Sequence, residues 1–302
     1  MHRLPSLLLP ATLLISGTTS PADAQTSAPN ILEAQILLDR ARHSPGVIDG
    51  KAGSNTRRAV MAFEQASGLP VDGVLDANVM ERLRVGSGDP VLVDYRIAEA
   101  DVEGLIEVPA SMEAQATLKR LGFETAREAL AEKFHMSQGL LSRLNPDASF
   151  APGETIRVAR PGKNESNAQV ARIEIDKAGS ELRAMDADGN LLATYPATIG
   201  SERFPSPSGS MEVRAIAAEP TYYFDPSGRD WGPNKRLTIA AGPNNPVGST
   251  WIDLTKEGYG IHGTPEPRLI GKTPSHGCVR LTNWDAAELS RAVKQGTTVV
   301  FV

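Results

Sequence analysis

The 302-residue chain contains one cysteine, Cys278. A single thiol cannot close an intramolecular disulfide, so a disulfide-stapled fold is excluded. Cys278 is then a packed small side chain, an intermolecular link or a reactive group. Basic excess is missing too: 31 Lys and Arg stand against 36 Asp and Glu, for a net charge of −5. Without a basic stripe, nucleic acid is not an expected partner. Long apolar runs are also scarce. The one candidate, Leu4 to Gly17, is interrupted by Pro5 and Pro10, and it falls short of the roughly 20 residues that a bilayer span needs. His2 and Arg3 precede this run and a small-residue Ala22-Asp23-Ala24 signal precedes Gln25. Residues 1–24 therefore read as a secretory signal peptide. No membrane span is expected after its cleavage, and the mature chain is expected outside the cytoplasm, periplasmic or associated with the cell wall.

What is present divides into parts, as the length implies. Residues 29–86 read as three short helices, with a degenerate repeat between "IDGKAGSNTRRAV" (48–60) and "VDGVLDANVMERL" (71–83). In the first copy Ser54 is expected to cap a helix that Gly68 ends, and in the second Asp76 is the expected cap. Residues 91–160 hold the strand-like "DYRIAEADV", a long insertion up to about Thr125, two helices with Ser137 capping the second, and a closing strand. His135 lies on this helix pair and reads as a structural or surface residue. Residues 161–168, "PGKNESNA", read as a polar linker. Beyond it, short alternating strands with an Asp188-Gly189 hairpin signal predict a mostly β, sandwich-like domain over 168–302. One helix follows the cysteine, with Asn283 as expected cap and Gly296 as expected stop. The fold class is α+β and multidomain.

A thiol attacks a carbonyl carbon as thiolate, so a catalytic cysteine needs a base or a positive field nearby. The stretch "TPSHGCVRLTN" (273–283) places His276 two residues before Cys278 and Arg280 two after it. His262 sits upstream in "GYGIHGTPEP" (258–267), and Arg268 to Asn283 contains no carboxylate. These surroundings are expected to lower the thiol pKa. Consecutive amides of Gly277 and Cys278 are candidate oxyanion donors. Residue chemistry leaves two alternatives open beside thiol catalysis: a buried, inert cysteine, and a zinc site of His262, His276 and Cys278 with an open position.

The whole stretch "GYGIHGTPEPRLIGKTPSHGCVRLTNWDA" (258–286), with "PSPSGSMEV" (205–213) and "AGPNNPVGSTWIDL" (241–254) upstream, resembles the YkuD-like L,D-transpeptidases. The resemblance implies Cys278 as nucleophile, His262 as proton acceptor and donor, and the Gly263 carbonyl orienting that imidazole. It also implies that Ser275, His276 and Gly277 shape the oxyanion and substrate site. Arg280, at a position where some branches carry Asn, and Tyr259 are the further substrate-binding candidates. No metal or organic cofactor is implied. The implied substrates are peptidoglycan stem peptides, with a second stem amine, a lipoprotein amine or water as acceptor, and the implied inhibitors are carbapenems. Residues 29–85 resemble a peptidoglycan-binding domain, and 127–160 the later part of a lysin motif, which makes glycan an expected partner. A wall-binding protein with an idle site and a zinc peptidase are the contrasting classes.

Overall fold

The computed structural model describes residues 30–162 and 169–302. The signal peptide expected over 1–24 lies outside the described residues, as does most of the linker expected over 161–168. No helix among the described residues is long and apolar enough to cross a membrane.

Three helices open the chain: α1 (Ile31–Arg40), α2 (Ser54–Ser67) and α3 (Ala77–Val85). Their apolar faces meet in a core that includes Leu37, Leu38, Val60, Phe63, Val79 and Leu83. Asp76 caps α3 by accepting the Val79 amide at 2.9 Å, and Gly68 ends α2 in the left-handed region at φ +68°. The cap of α2 differs from expectation. Extended Gly53 occupies the cap position with no side-chain bond, and Ser54 is the first helical residue. The sequence repeat has a structural counterpart. Gln35 Oε1 accepts the amides of Asp49 and Gly50 at 3.1 and 2.8 Å, and Glu64 Oε2 accepts those of Asp72 and Gly73 at 3.0 and 2.9 Å. Each Asp-Gly turn is thus closed by one buried long polar side chain from the preceding helix.

The middle segment runs β1 (Leu92–Arg96), a 3-10 turn (Glu99–Asp101), a short α4 (Met112–Gln115), α5 (Ala126–Lys133), α6 (Gln138–Leu144) and β2 (Thr155–Ala159). β1 and β2 pair antiparallel, with Leu92 opposite Ala159. Ser137 caps α6 as expected. Ile36 and Ile48 of the first segment are buried in the same core as Leu130, Leu141 and Ile156, so the two segments share one apolar interior. The insertion before α5 leaves that core and docks on the third segment. Leu121 N donates to Ala241 O at 2.9 Å and its carbonyl accepts Asn244 N at 3.1 Å.

The remaining strands are β3 (Arg172–Asp176), β4 (Glu181–Met185), β5 (Leu191–Pro196), β6 (Gly209–Ala218), β7 (Tyr222–Phe224), β8 (Leu237–Ile239), β9 (Thr250–Leu254), β10 (Gly260–His262), β11 (Val279–Arg280) and, after α7 (Asn283–Ala292), β12 (Thr298–Phe301). Eight of them form one sheet in the order β11-β10-β9-β6-β12-β3-β4-β5. β6 makes the sheet fold over itself. Its first half pairs with β12, then a bulge between Val213 and Ala215 re-aims the strand, and its second half pairs with β9. One core results, in which Ile173 and Leu182 from one half join Ile252 and Ile261 from the other, with Leu289 of α7 against them. Burying each such Leu or Ile contributes about 1.5–3 kcal/mol. This is the sandwich-like domain expected, with its helix directly after the cysteine. The expected ends of that helix are corrected. Thr282 is the cap, accepting Asp285 N at 3.1 Å, and α7 ends at Ala292, while Gly296 at φ +84° shapes the turn into β12. Asn283 is free of cap duty because its amide is bonded elsewhere.

Candidate active site

The second halves of the sheet and the β7–β8 arm enclose a cleft of about 860 Å³, into which His262, His276, Cys278 and Arg280 project. Strand geometry brings three of them together. β10 and β11 run parallel, with Ile261 beside Val279 and His262 beside Arg280. Alternate residues of a strand share a face, so Ile261 and Val279 point into the core, both fully buried. His262, Arg280 and Cys278 occupy the opposite face.

His262 is itself buried, and its Nδ1 lies 2.7 Å from the carbonyl oxygen of Gly263. A carbonyl only accepts, so Nδ1 carries the proton and Nε2 keeps its lone pair. The ring stacks on Trp251, with centroids 5.4 Å apart and an interplanar angle of 23°. Burial, then the charge of Arg280, pushes its pKa down to about 3, against the opposing pull of the Gly263 and Val247 carbonyls. The Cys278 thiol donates to Gly258 O at 3.7 Å. Burial raises its pKa, although the Gly260 backbone amide, Arg280 and Arg229 pull it the other way. The expectation that basic surroundings would lower the thiol pKa is therefore corrected: desolvation outweighs them. Both directions favour the neutral forms of the thiol and the imidazole.

The loop before β11 is held by hydroxyls. Ser275 Oγ donates to Cys278 O at 2.5 Å and accepts Gly277 N at 3.1 Å. Ser206 Oγ donates to Gly277 O at 2.6 Å and accepts Gly200 N at 3.0 Å. Gly277 has φ +115°, a conformation that an L side chain rarely adopts, and a Cβ there would press on the Tyr259 ring at 3.1 Å. With the Gly277 amide bound to Ser275, the two amides expected to serve an oxyanion are no longer equivalent. His276 is exposed and lies between Trp231, at 4.2 Å and 27°, and Phe204, at 4.8 Å and 51°. Partial burial, then Arg280, Arg229 and Arg203, lowers its pKa. Arg280 Nε is buried with no hydrogen-bond partner among the described residues.

Two stretches of the chain match family models. Residues 170–301 match the L,D-transpeptidase catalytic domain, YkuD, and residues 27–83 match a candidate peptidoglycan binding domain. The candidate L,D-transpeptidase YkuD of Bacillus licheniformis is 30% identical over 175 residues, which cover 57% of this chain and 90% of that protein. The chain belongs to the YkuD family of L,D-transpeptidases. The YkuD protein of Bacillus subtilis is 27% identical over 173 residues, again 57% of this chain and 90% of the relative. Among solved structures, an L,D-transpeptidase from Xylanimonas cellulosilytica is 19% identical with a TM-score of 0.37, over 91% of this chain and 94% of that one.

In this L,D-transpeptidase the residues picked out by sequence fall into two groups. Cys278, His262, His276 and Arg280 line the cleft. Gly263, Ser275 and Gly277 lie behind them and tie down the two loops that carry His262 and Cys278 through bonds to the backbone. Tyr259 also stands behind, with its ring against Gly277 and Lys256 Nζ 5.0 Å over its face, instead of lining the cleft. Among the described residues no group of three or more His, Cys, Asp or Glu is arranged to hold a metal ion. Ser206, Trp251 and Arg229 are functional candidates that sequence reasoning missed. Ser206 lies in a recognisable motif, but a hydroxyl that reaches a carbonyl 71 residues away leaves no local signal.

Proposed function

We propose that the protein is a cysteine-dependent L,D-transpeptidase that cross-links peptidoglycan stem peptides. The observation that carries this reading is the parallel β10–β11 pair, which puts Cys278 on one face with an imidazole whose Nδ1 is fixed by Gly263. The free Nε2 takes the thiol proton as Sγ bonds to the carbonyl between the L-centre of a diamino acid and the terminal D-Ala of a tetrapeptide stem. With a raised thiol and a weakly basic ring, this transfer is uphill alone, so it accompanies the attack. The Cys278 N–H, with Ser275, His276 and Gly277 shaping the loop, faces the oxyanion. When the C–N bond breaks, the imidazolium protonates the departing D-Ala amine and a thioester remains. A second amine then attacks, His262 removes its proton, and the returning thiolate is reprotonated. Arg280 pairs with a stem carboxylate, as its unpartnered Nε supports; Tyr259 supports the substrate site from behind the loop.

The matched domain at 27–83 supports docking on the wall before catalysis, with residues 1–24 directing export. In this reading the functional units are 29–86, 91–160 and 168–302, and the middle unit adds a glycan contact. Mass spectrometry of muropeptides incubated with the protein is the test. New cross-links are expected, a lipoprotein amine being the other amine acceptor to offer, and C278A should abolish them while sacculus binding persists. Trimmed stems alone would instead assign an L,D-carboxypeptidase, and cross-linking by C278A would overturn the thiol mechanism.

A further inference from the structure

The two family matches leave residues 84–169 between them, yet this stretch reaches the back of the catalytic site. Asn283, 5% exposed, sits at the first turn of α7 with every polar atom of its side chain engaged. Its Oδ1 accepts Ser249 N at 3.1 Å. Its Nδ2 donates to Pro243 O at 3.2 Å and to Glu132 Oε1 of α5 at 2.7 Å. The same Oδ1 lies so close to Gly248 and Gly263 that a Cβ at either glycine would overlap it. Gly263 is the residue whose carbonyl holds His262 Nδ1, and Val247, beside Gly248, lines the cleft.

A second set of contacts acts on the same loop. Asn244 Nδ2 donates to Gly122 O at 3.0 Å and to Glu128 Oε1 at 2.9 Å. The backbone of Leu121 brackets Ala241 and Asn244. Residues 241–249 are therefore gripped from the middle segment at one end and by Asn283 at the other.

We propose that Asn283, held by Glu132 of the middle segment, is a positioning residue for His262. The middle segment is then part of the catalytic site's support and more than a wall-directed module. The inference rests on the transpeptidase reading above. Asn283 touches no reacting atom; it fixes the peptide of Gly263, and through it the tautomer and aim of the imidazole. Misplacing a catalytic group by about 1 Å costs on the order of 100-fold in rate.

The test measures single-turnover acylation of Cys278 by a tetrapeptide stem, with kcat, KM and thermal melting, in the full chain. N283A should slow acylation about 10-fold to 100-fold with KM little changed. E132A should slow it about 3-fold to 10-fold, and E132Q should restore most of the rate, because its Oε1 still accepts the Asn283 amide. A merely structural contact would lower the melting point without this split between kcat and KM. Should N283A fail to fold, the E132A and E132Q pair decides the matter. If C278A and H262Q are inactive while E132A and N283A turn over like wild type, this inference alone fails. Equal rates for E132A and E132Q, both below wild type, would also overturn it. Activity in C278A would instead remove the reading on which it rests.

Discussion

Two clusters of ionisable groups, one in the cleft and one where the helical segments meet the β domain, each contain a buried histidine stacked on a tryptophan and do opposite things. At the interface, His135 Nδ1 is 2.9 Å from Asp39 Oδ2 and its ring stacks on Trp284 at 5.0 Å and 10°. Asp39 Oδ1 accepts Gly162 N at 2.7 Å, and Ser44 Oγ donates to Asp285 Oδ2 at 3.1 Å. His43, also buried, lies 3.2 Å from Thr194 Oγ1. In the cleft, His262 has Nδ1 secured by Gly263, Arg280 Nε has no hydrogen-bond partner among the described residues, and the thiol has only a long contact to Gly258 O with the Gly260 amide near it. A buried polar group whose bonds are made holds segments together, whereas one left unpaired beside a cavity is available for chemistry. His135, expected to be structural or on the surface, is structural and buried.

The sharpest way to break this contrast is to give both histidines the same substitution. H262Q should reduce acylation by about 10²–10⁴ with little change in melting, and H276Q should have a much smaller effect. H135Q should reverse the pattern. It removes one side of a buried ion pair, which typically costs about 3–5 kcal/mol, while acylation per folded molecule stays within a small factor of wild type. Stopped-flow acylation beside denaturant unfolding separates the two. A stable but inactive H135Q would erase the distinction between the clusters.

The pH dependence of stability gives a smaller effect that belongs to the interface alone. Burial pushes Asp285 up to about 8, with the Asp39 charge adding to it, and pushes Glu132 up to about 7. Burial opposes the charged form of His135, but Asp39 overrides it and the pKa is raised. For all three, the folded state holds protons more tightly than the unfolded chain. Their stabilisation is complete below the unfolded values and is lost as pH rises through the folded ones. The melting temperature should therefore decline between about pH 4 and 8, bracketing the ordinary and shifted carboxyl values. D285N should flatten that decline; an unchanged slope would show that Asp285 does not titrate there. His43, lowered to about 4 by burial and by Arg42, works in the other direction: its contribution is complete above the ordinary imidazole value and is lost as pH falls from there through about 4.

The smallest expected effect concerns the resting thiol. Alkylation of Cys278 by iodoacetamide should climb through the alkaline range with its inflection above the ordinary thiol value near 8.5, the direction given by its burial. An inflection below that value would mean a preformed thiolate.

Much of this was legible in the sequence, and what was not has a common cause. The Asp76 cap, the Gly68 stop, the Asp188-Gly189 turn and the alternation within each strand rest on neighbours in sequence, as does the His-Gly-Cys motif. Interactions across the fold escaped. Ser54 and Asn283 both looked like caps; Gly53 and Thr282 hold those positions, and Asn283 serves a loop 34 residues away. The insertion before Thr125 reads only as a long insertion because its acceptor, the 241–245 loop, lies more than a hundred residues downstream. Tyr259 has a sequence position beside the cleft, yet its ring turns behind Gly277. The thiol pKa was misjudged because local charge can be read from neighbouring letters and burial cannot.

The burial that raises the Cys278 pKa also favours a neutral thiol at rest. Oxidants and alkylating agents consume thiolates much faster than thiols, and in the proposed mechanism this sulfur ionises as it attacks a substrate carbonyl. In that reading the neutral resting thiol is the form less prone to the irreversible steps to sulfinic and sulfonic acid. Catalytic lifetime, measured as turnovers completed before inactivation under peroxide, should then follow the same desolvation that disfavours unassisted ionisation.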